Sequence, residues 1–277
     1  MCQIELRGQH LLIATAEIAN KHKSVAQHID NRIEVELVAA RFKISGRSVI
    51  LRHVLPSSIS GKTFMLQILV VPVTEFQQNC SIIYDDQSLE AIVLDPGGEA
   101  EKIAAEAKRL GVTVQAIWLT HGHLDHAGGA EALKKILDVQ IIGPHEADKM
   151  LLDNIVTVAA GYGVTGMQNA QPDRWLSEGD TVSVGPHQFE IIHTPGHAPG
   201  HVIFVNHQEK LILMGDVLFQ GSIGRTDLPG GNHQQLMDSI ANKILPLGDE
   251  LKFVCGHSPS STLGQEKATN PYLASLK

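Results

Sequence analysis

The chain has 277 residues, 43 % of them hydrophobic and 4 % aromatic, with 15 histidines and a formal net charge of −8. This composition excludes a disordered chain, and no apolar run approaches the ~18 residues of a membrane span. The acidic balance argues against a nucleic-acid partner, whose phosphates need a basic face. Cys2, Cys80 and Cys255 share no recurring spacing, so no disulfide framework is expected, which suits a reducing compartment.

Charge is unevenly spread along the chain. Residues 1–64 hold nine Lys/Arg and five Asp/Glu, a balance of +4; residues 65–277 hold thirteen and twenty-five, a balance of −12. The character changes near Ser57-Ser58-Ile59-Ser60-Gly61. Residues 1–64 are therefore expected to be an extension, poorly ordered or not part of the native protein, and residues 65–277 a domain of their own. The start lacks the basic-then-apolar order and cleavage site of a secretory signal, so the protein is expected to be soluble and cytoplasmic, without a membrane partner.

From Met65 the pattern is regular. Met65 to Val73, Ser81 to Tyr84 and Ala91 to Leu94 read as strands, and Asp95-Pro96-Gly97-Gly98 stops the chain. Glu99 to Leu110 reads as a helix, with Ile103, Ala107 and Leu110 on one face and Gly111 as its stop. Val114 to Leu119 is a buried strand and Ala127 to Leu137 a helix; Val139 to Ile142 is a short strand, with a helix near His145 to Asp153. Across residues 155–172, Gly161, Gly163 and Gly166 suggest a mobile loop. Strand runs then recur at Thr181 to Val184, Phe189 to His193, His201 to Val205 and Leu211 to Met214. Gln234 to Leu245 is a helix ended by Pro246, and Lys252 to Cys255 is a last strand. Strands mixed with helices in both halves point to a layered α/β or α+β domain.

The histidines concentrate at strand ends. The strand ending at Leu119-Thr120 runs into His121-Gly122-His123-Leu124-Asp125-His126. Side chains at i and i+2 of an extended segment face the same way, so His121 and His123 can grip one ion. Asp125 and His126, just before a helix start, can reach a neighbouring point. Three imidazoles and a carboxylate suit zinc, iron or manganese, and not calcium or magnesium alone. Three later segments each put a ligand-type residue after an apolar strand and a glycine: Gly196-His197, Gly215-Asp216 and Gly256-His257. Each is weak singly; their order together is the signal. His145, His187, His193, His207 and His233 lack such context and read as surface or core residues.

His121-Gly122-His123-Leu124-Asp125-His126 followed by His197, Asp216 and His257 resembles the metallo-β-lactamase superfamily, and within it the glyoxalase II-like branch (hydroxyacylglutathione hydrolases). Thr194-Pro195-Gly196-His197…Gly200-His201, Gly215-Asp216…Gly224-Arg225 and Thr262-Leu263-Gly264-Gln265-Glu266…Asn270-Pro271 carry the branch likeness, closest to its short, single-domain bacterial members. The likeness covers residues 65–277. It implies an α+β fold, an αββα sandwich, with two divalent ions at one rim. It assigns His121, His123 and His197 to one ion, Asp125, His126 and His257 to the other, and Asp216 as the bridge. Asp95 and His201 would stand behind the ligands.

The likeness implies hydrolysis of S-2-hydroxyacylglutathione, a small-molecule thioester, to a 2-hydroxy acid such as D-lactate plus glutathione. This is methylglyoxal detoxification, by attack of a metal-bound hydroxide, with Asp125 orienting the water. Arg225 sits where the family often has a basic residue facing a glutathione carboxylate. Longer relatives carry a C-terminal helical region that helps bind glutathione; here seven residues follow Asn270, which points to wider substrate tolerance. Ser258 stands where relatives usually have Gly. Two rivals share the fold: a mononuclear iron persulfide dioxygenase, with a similar Gly224-Arg225-Thr226-Asp227 stretch, and a lactonase-type hydrolase.

Overall fold

A computed structural model describes residues 39–44, 47–52 and 65–276. The chain divides into two compact units, residues 1–61 and 62–277. In the first, β1 (Ala39–Ile44) and β2 (Arg47–Arg52) pair antiparallel, from Ala39 opposite Arg52 to Ile44 opposite Arg47. The sequence reading places no element there; the rest of that extension lies outside the described residues.

The second unit is an α+β sandwich with the layer order αββα. One sheet has the order β3 (Leu66–Val73), β4 (Gln78–Asp85), β5 (Glu90–Leu94), β6 (Thr113–Trp118), β7 (Gln140–Ile142). Its first three strands are antiparallel; β5, β6 and β7 run parallel. The other sheet contains β8 (Thr181–Val184), β9 (His187–His193), β10 (Val202–Asn206), β11 (Leu211–Gly215), β14 (Lys252–Cys255) and β15 (Ser261–Thr262). They lie in the order β15-β14-β11-β10-β9-β8, and β11 and β14 are parallel. A small hairpin joins β12 (Leu218–Phe219) to β13 (Ser222–Ile223).

The strand alternation explains the layers. Successive side chains point to opposite faces. Ile83, Ile92, Leu94, Ala116 and Trp118 therefore face Val182, Phe189, Ile191, Val202, Phe204 and Leu213 between the sheets. Their neighbours Ile82, Val93, Ile117 and Leu119 point outward under one helical layer. Ile203, Val205, Ile212 and Met214 point outward under the other. Central strands buried on both faces appear in sequence as continuous apolar runs. Trp118 stacks on Phe204 across the sheets at 5.0 Å and meets Phe189 edge-on at 5.5 Å, so it serves packing.

The helices are α1 (Ala100–Leu110), α2 (Leu124–Ala127), α3 (Ala130–Leu137), α4 (Lys149–Asp153), α5 (Ile155–Gly161), α6 (His233–Ser239) and α7 (Leu263–Thr269). Ile103 and Ala107 bury one face of α1, and Gly111 caps it with φ +72°. Two expectations are corrected. The single helix Ala127 to Leu137 is two, broken at Gly128-Gly129, where a Cβ on Gly129 would lie 2.8 Å from the Pro96 carbonyl oxygen. Residues 155–172 are not a loop throughout. They open with α5, whose Ile155 and Ala159 are buried one turn apart, and Val164, Met167 and Ala170 continue into the same core. Among the described residues, no helix is long and apolar enough to cross a membrane.

The topology sets the site. The parallel pairs β5–β6 and β11–β14 put four C-terminal strand ends on one rim, and the turn from β9 to β10 joins them. Backbone bonds close that rim: Val202 N–H donates to Thr120 C=O at 2.8 Å, and Gly256 N–H to Gly215 C=O at 2.9 Å.

Candidate metal centre

Seven ligand-type side chains from four strand ends converge at the rim. His123 Nδ1 lies 2.9 Å from His197 Nε2, and His197 Nε2 lies 3.3 Å from His121 Nε2. These three form one group whose donor atoms are close enough to share a cation; Asp125, His126 and His257 form a second. Asp216 stands between the groups. Its Oδ1 is 3.4 Å from His126 Nε2, and its Oδ2 is 3.6 Å from His257 Nε2 and 3.7 Å from His197 Nε2.

The supporting groups fix which nitrogen faces inward. Thr120 Oγ donates to Asp95 Oδ2 at 2.7 Å, so its lone pair accepts from His121 Nδ1–H at 2.9 Å. That leaves His121 Nε2 with a free lone pair. Asp95 Oδ2 also accepts from His126 Nδ1–H at 3.0 Å, and Asp95 Oδ1 takes the Thr120 backbone N–H at 2.7 Å. His197 Nδ1–H donates to the Arg225 carbonyl at 2.7 Å. In His121 and His197 this turns the Nε2 lone pair to the centre, and in His126 it leaves Nε2 as the inward nitrogen. His201 is spent differently: its Nε2 accepts the Asp216 backbone N–H at 3.0 Å, so its Nδ1–H donates to Thr194 Oγ at 3.1 Å. It therefore braces Asp216 and offers the cluster no lone pair.

Burial and charge divide the site. Burial, then repulsion from neighbouring imidazoles, holds His121 well below the ordinary histidine value and His123 down at about 3. Burial lowers His197 too, against the pull of Asp216. For His126, burial acts downward, but Asp216, Asp125 and Asp95 outweigh it and hold the ring well above its ordinary value. For Asp216, burial acts upward and is overcome by His126, His197 and His257, which keep the carboxylate ionised. His126 Nε2 and Asp216 Oδ1 are both buried without a hydrogen-bond partner among the described residues. Two such orphaned groups, aimed at one point among imidazoles, fit a divalent cation. Gly256 makes room: a Cβ there would lie 2.1 Å from Asp216 Oδ1 and 2.4 Å from His126 Cε1.

Arg225 contributes its carbonyl to His197, while its exposed guanidinium makes a two-pronged pair with Asp227 at 2.8 and 2.7 Å. The other described histidines stay outside the cluster. His187 pairs with buried Asp85 at 3.1 Å, and His145 stacks on His193 at 4.3 Å. The sequence reading missed Asp148, which is buried and accepts backbone N–H groups from Gly122 and Gly200. It also missed Gln78, whose side-chain amide lies 3.4 Å from His126 Nδ1. Only their places within short polar breaks could have flagged either.

The family model of the metallo-β-lactamase superfamily matches residues 73–257. The chain is 45 % identical over 211 residues to hydroxyacylglutathione hydrolase GloC of Haemophilus influenzae, covering 76 % of this chain and 99 % of that protein. Among solved structures, the BLEG-1 B3 metallo-β-lactamase is 38 % identical with a TM-score of 0.69, over 76 % of this chain and all of that one. A protein solved in a di-iron-bound form is 35 % identical with a TM-score of 0.68, over 74 % of this chain and all of that one. With the αββα layers and a histidine–aspartate cluster on the rim, the chain belongs to the metallo-β-lactamase superfamily.

Proposed function

We propose that residues 65–277 are a two-metal thioester hydrolase, acting in the cytoplasm on S-2-hydroxyacylglutathione to give a 2-hydroxy acid and glutathione, with residues 1–64 dispensable for the chemistry. The observation that carries this reading is the convergence of two ligand groups on Asp216. The likeness to GloC supports the substrate class.

In this reading His121, His123 and His197 would hold one divalent ion, Asp125, His126 and His257 would hold the other, and Asp216 would serve both. Zinc, iron and manganese all suit imidazole with carboxylate, and the di-iron relative supports iron as one occupant. When bound, the ions would supply an activated hydroxide near neutral pH and a Lewis acid for a carbonyl oxygen.

The protein's own groups do the rest. Buried Asp216 keeps negative charge between the two imidazole sets. Asp125, its side chain 20 % exposed, sits 3.1 Å from His257 Nε2 and orients the attacking water. The neutral His121, His123 and His197 leave their inward lone pairs available at physiological pH. A thiolate leaves without a general acid, so none is required. Arg225 faces the glutathione carboxylate.

Metal analysis of protein assayed in parallel against thioesters, lactones and persulfides tests this. Thioester cleavage that scales with two bound ions is the expected result. Oxygen consumption with glutathione persulfide at one iron per chain would replace the reading with a persulfide dioxygenase, and preferential lactone opening would replace it with a lactonase.

A further inference from the structure

Asp148 lies outside the ligand set, at the end of the 3₁₀ turn Glu146–Asp148, and its side chain is fully buried. Its Oδ2 accepts the backbone N–H of Gly122 at 2.8 Å, and its Oδ1 that of Gly200 at 2.5 Å. Among the described residues, no side chain bonds to this carboxylate and no cation pairs with it. A carboxylate withdrawn from water without a counter-ion is costly, and an apolar residue would fill the space more cheaply. Its two amides show what the carboxylate does.

Gly122 is the residue between His121 and His123. Gly200 closes the turn that carries His197 and directly precedes His201. The first loop leaves β6 of one sheet and the second joins β9 to β10 of the other. One side chain therefore ties together the two loops that carry all three histidines of the first group.

The packing agrees. A Cβ on Gly122 would lie 2.9 Å from Leu151 Cβ and 3.1 Å from the Asp148 carbonyl oxygen. A Cβ on Gly200 would lie 2.5 Å from the His145 carbonyl oxygen and 2.6 Å from Asp148 N. Both loops press bare backbone onto the same turn. His145 N–H donates back to Gly200 C=O at 3.1 Å, so the Gly200 residue is held on both sides.

We infer that Asp148 is a positioning residue for the three-histidine half of the centre: by gripping the Gly122 and Gly200 amides with one carboxylate, it fixes His121, His123 and His197 at cation-binding separation and so sets the affinity of that half for a divalent ion. The inference rests on the two-metal reading above and concerns one half of it. A carboxylate can accept both amides; a carboxamide accepts one and points N–H donors at the other.

The test is zinc binding by the full chain and its Asp148→Asn and Asp148→Ala variants, titrated against a competing chelator, with circular dichroism as the control for folding. Asp148→Asn, nearly isosteric, keeps the variant informative if Asp148→Ala fails to fold. The expected result is a folded Asp148→Asn protein whose affinity for one of two zinc ions falls by about 10–100-fold, the range for groups that orient metal ligands. The weakened step should be the one lost in His123→Ala and retained in Asp125→Ala. Both steps unchanged in Asp148→Asn, or both weakened equally, would overturn the inference while leaving the two-metal reading in place. Wild-type protein that takes up no zinc, iron or manganese would remove that reading and the inference with it.

Discussion

The two halves of the centre hold their ligands by different means. His121, His123 and His197 form a set without its own carboxylate, and two of the three lean on neutral groups, the Thr120 hydroxyl and the Arg225 carbonyl. All three are held below the ordinary histidine value by burial first; repulsion from His126 adds to it most at His121 and from His197 at His123, while at His197 the Asp216 charge partly offsets burial. In the other half, His126 is wedged among Asp95, Asp125 and Asp216, and His257 and Asp125 are 31 % and 20 % exposed. One half is dry and neutral before any ion arrives; the other is charged and open. An ion in the first displaces no proton, whereas an ion in the second competes with one on His126.

The most damaging way to break this contrast is to remove what the halves share. Asp216→Ala deletes the carboxylate that lies within 3.7 Å of His126, His197 and His257 nitrogens. Metal content should fall below one ion per chain and thioester turnover by about a thousandfold, since a metal pair contributes several kcal/mol to the transition state. Two retained ions with a rate within tenfold of wild type would remove Asp216 as the bridge. Breaking one half comes next. Asp125→Ala or His126→Ala should release one ion, keep the three-histidine ion and lower the rate about a hundredfold. Unchanged metal content and rate in both variants would contradict the division itself.

How far this contrast can be read from sequence differs between its parts. His121 to His126 are contiguous, and Leu119-Thr120 before them fixes their rim position, so this segment is legible. His197, Asp216 and His257 are legible only through a repeated local grammar, an apolar strand, then glycine, then a ligand. The layer order follows from strands such as Ile82-Ile83 and Ile203-Phe204, whose neighbours feed opposite cores. What failed was structure held by buried polar residues. β4 begins at Gln78, not Ser81, because Gln78 and Asn79 break the apolar run while bonding near His126 and at the Gly256 carbonyl. α7 went unread because its fixing contact is buried Glu266, which accepts from Ser261 Oγ at 2.5 Å and from Gly221 N–H at 2.7 Å. α5 was hidden by the nearby glycines and by Val156 and Val158 on its exposed side. Local propensity and tertiary demand part company at such positions.

The charge contrast can be sharpened by pH. His126 is held above its ordinary value, so in the metal-free fold it carries a proton at neutral pH that a cation must displace. Affinity for the second ion should therefore rise about tenfold per pH unit until His126 deprotonates. The three-histidine half, whose rings are already neutral, should bind with an affinity flat across the same range. Zinc titrations from pH 6 to pH 8, with His126→Ala as the control, read both slopes. Equal slopes at the two halves would erase the distinction.

The smallest effect is expected at Arg225, which touches the first half through its backbone alone. Its carbonyl holds His197 Nδ1–H, so Arg225→Ala should leave metal content and turnover of small thioesters unchanged. Its guanidinium is 60 % exposed and already gripped by Asp227. A substrate carboxylate must displace that partner, and ion pairs this exposed contribute little. KM for a glutathione thioester should thus rise only about two- to fivefold in Arg225→Ala, with kcat unchanged. Asp227→Asn weakens the competitor and should move KM for the same substrate the opposite way, by about twofold. An Arg225→Ala effect equal on glutathione and small thioesters would take the guanidinium out of recognition and leave its carbonyl, bonded to His197, as the residue's contribution.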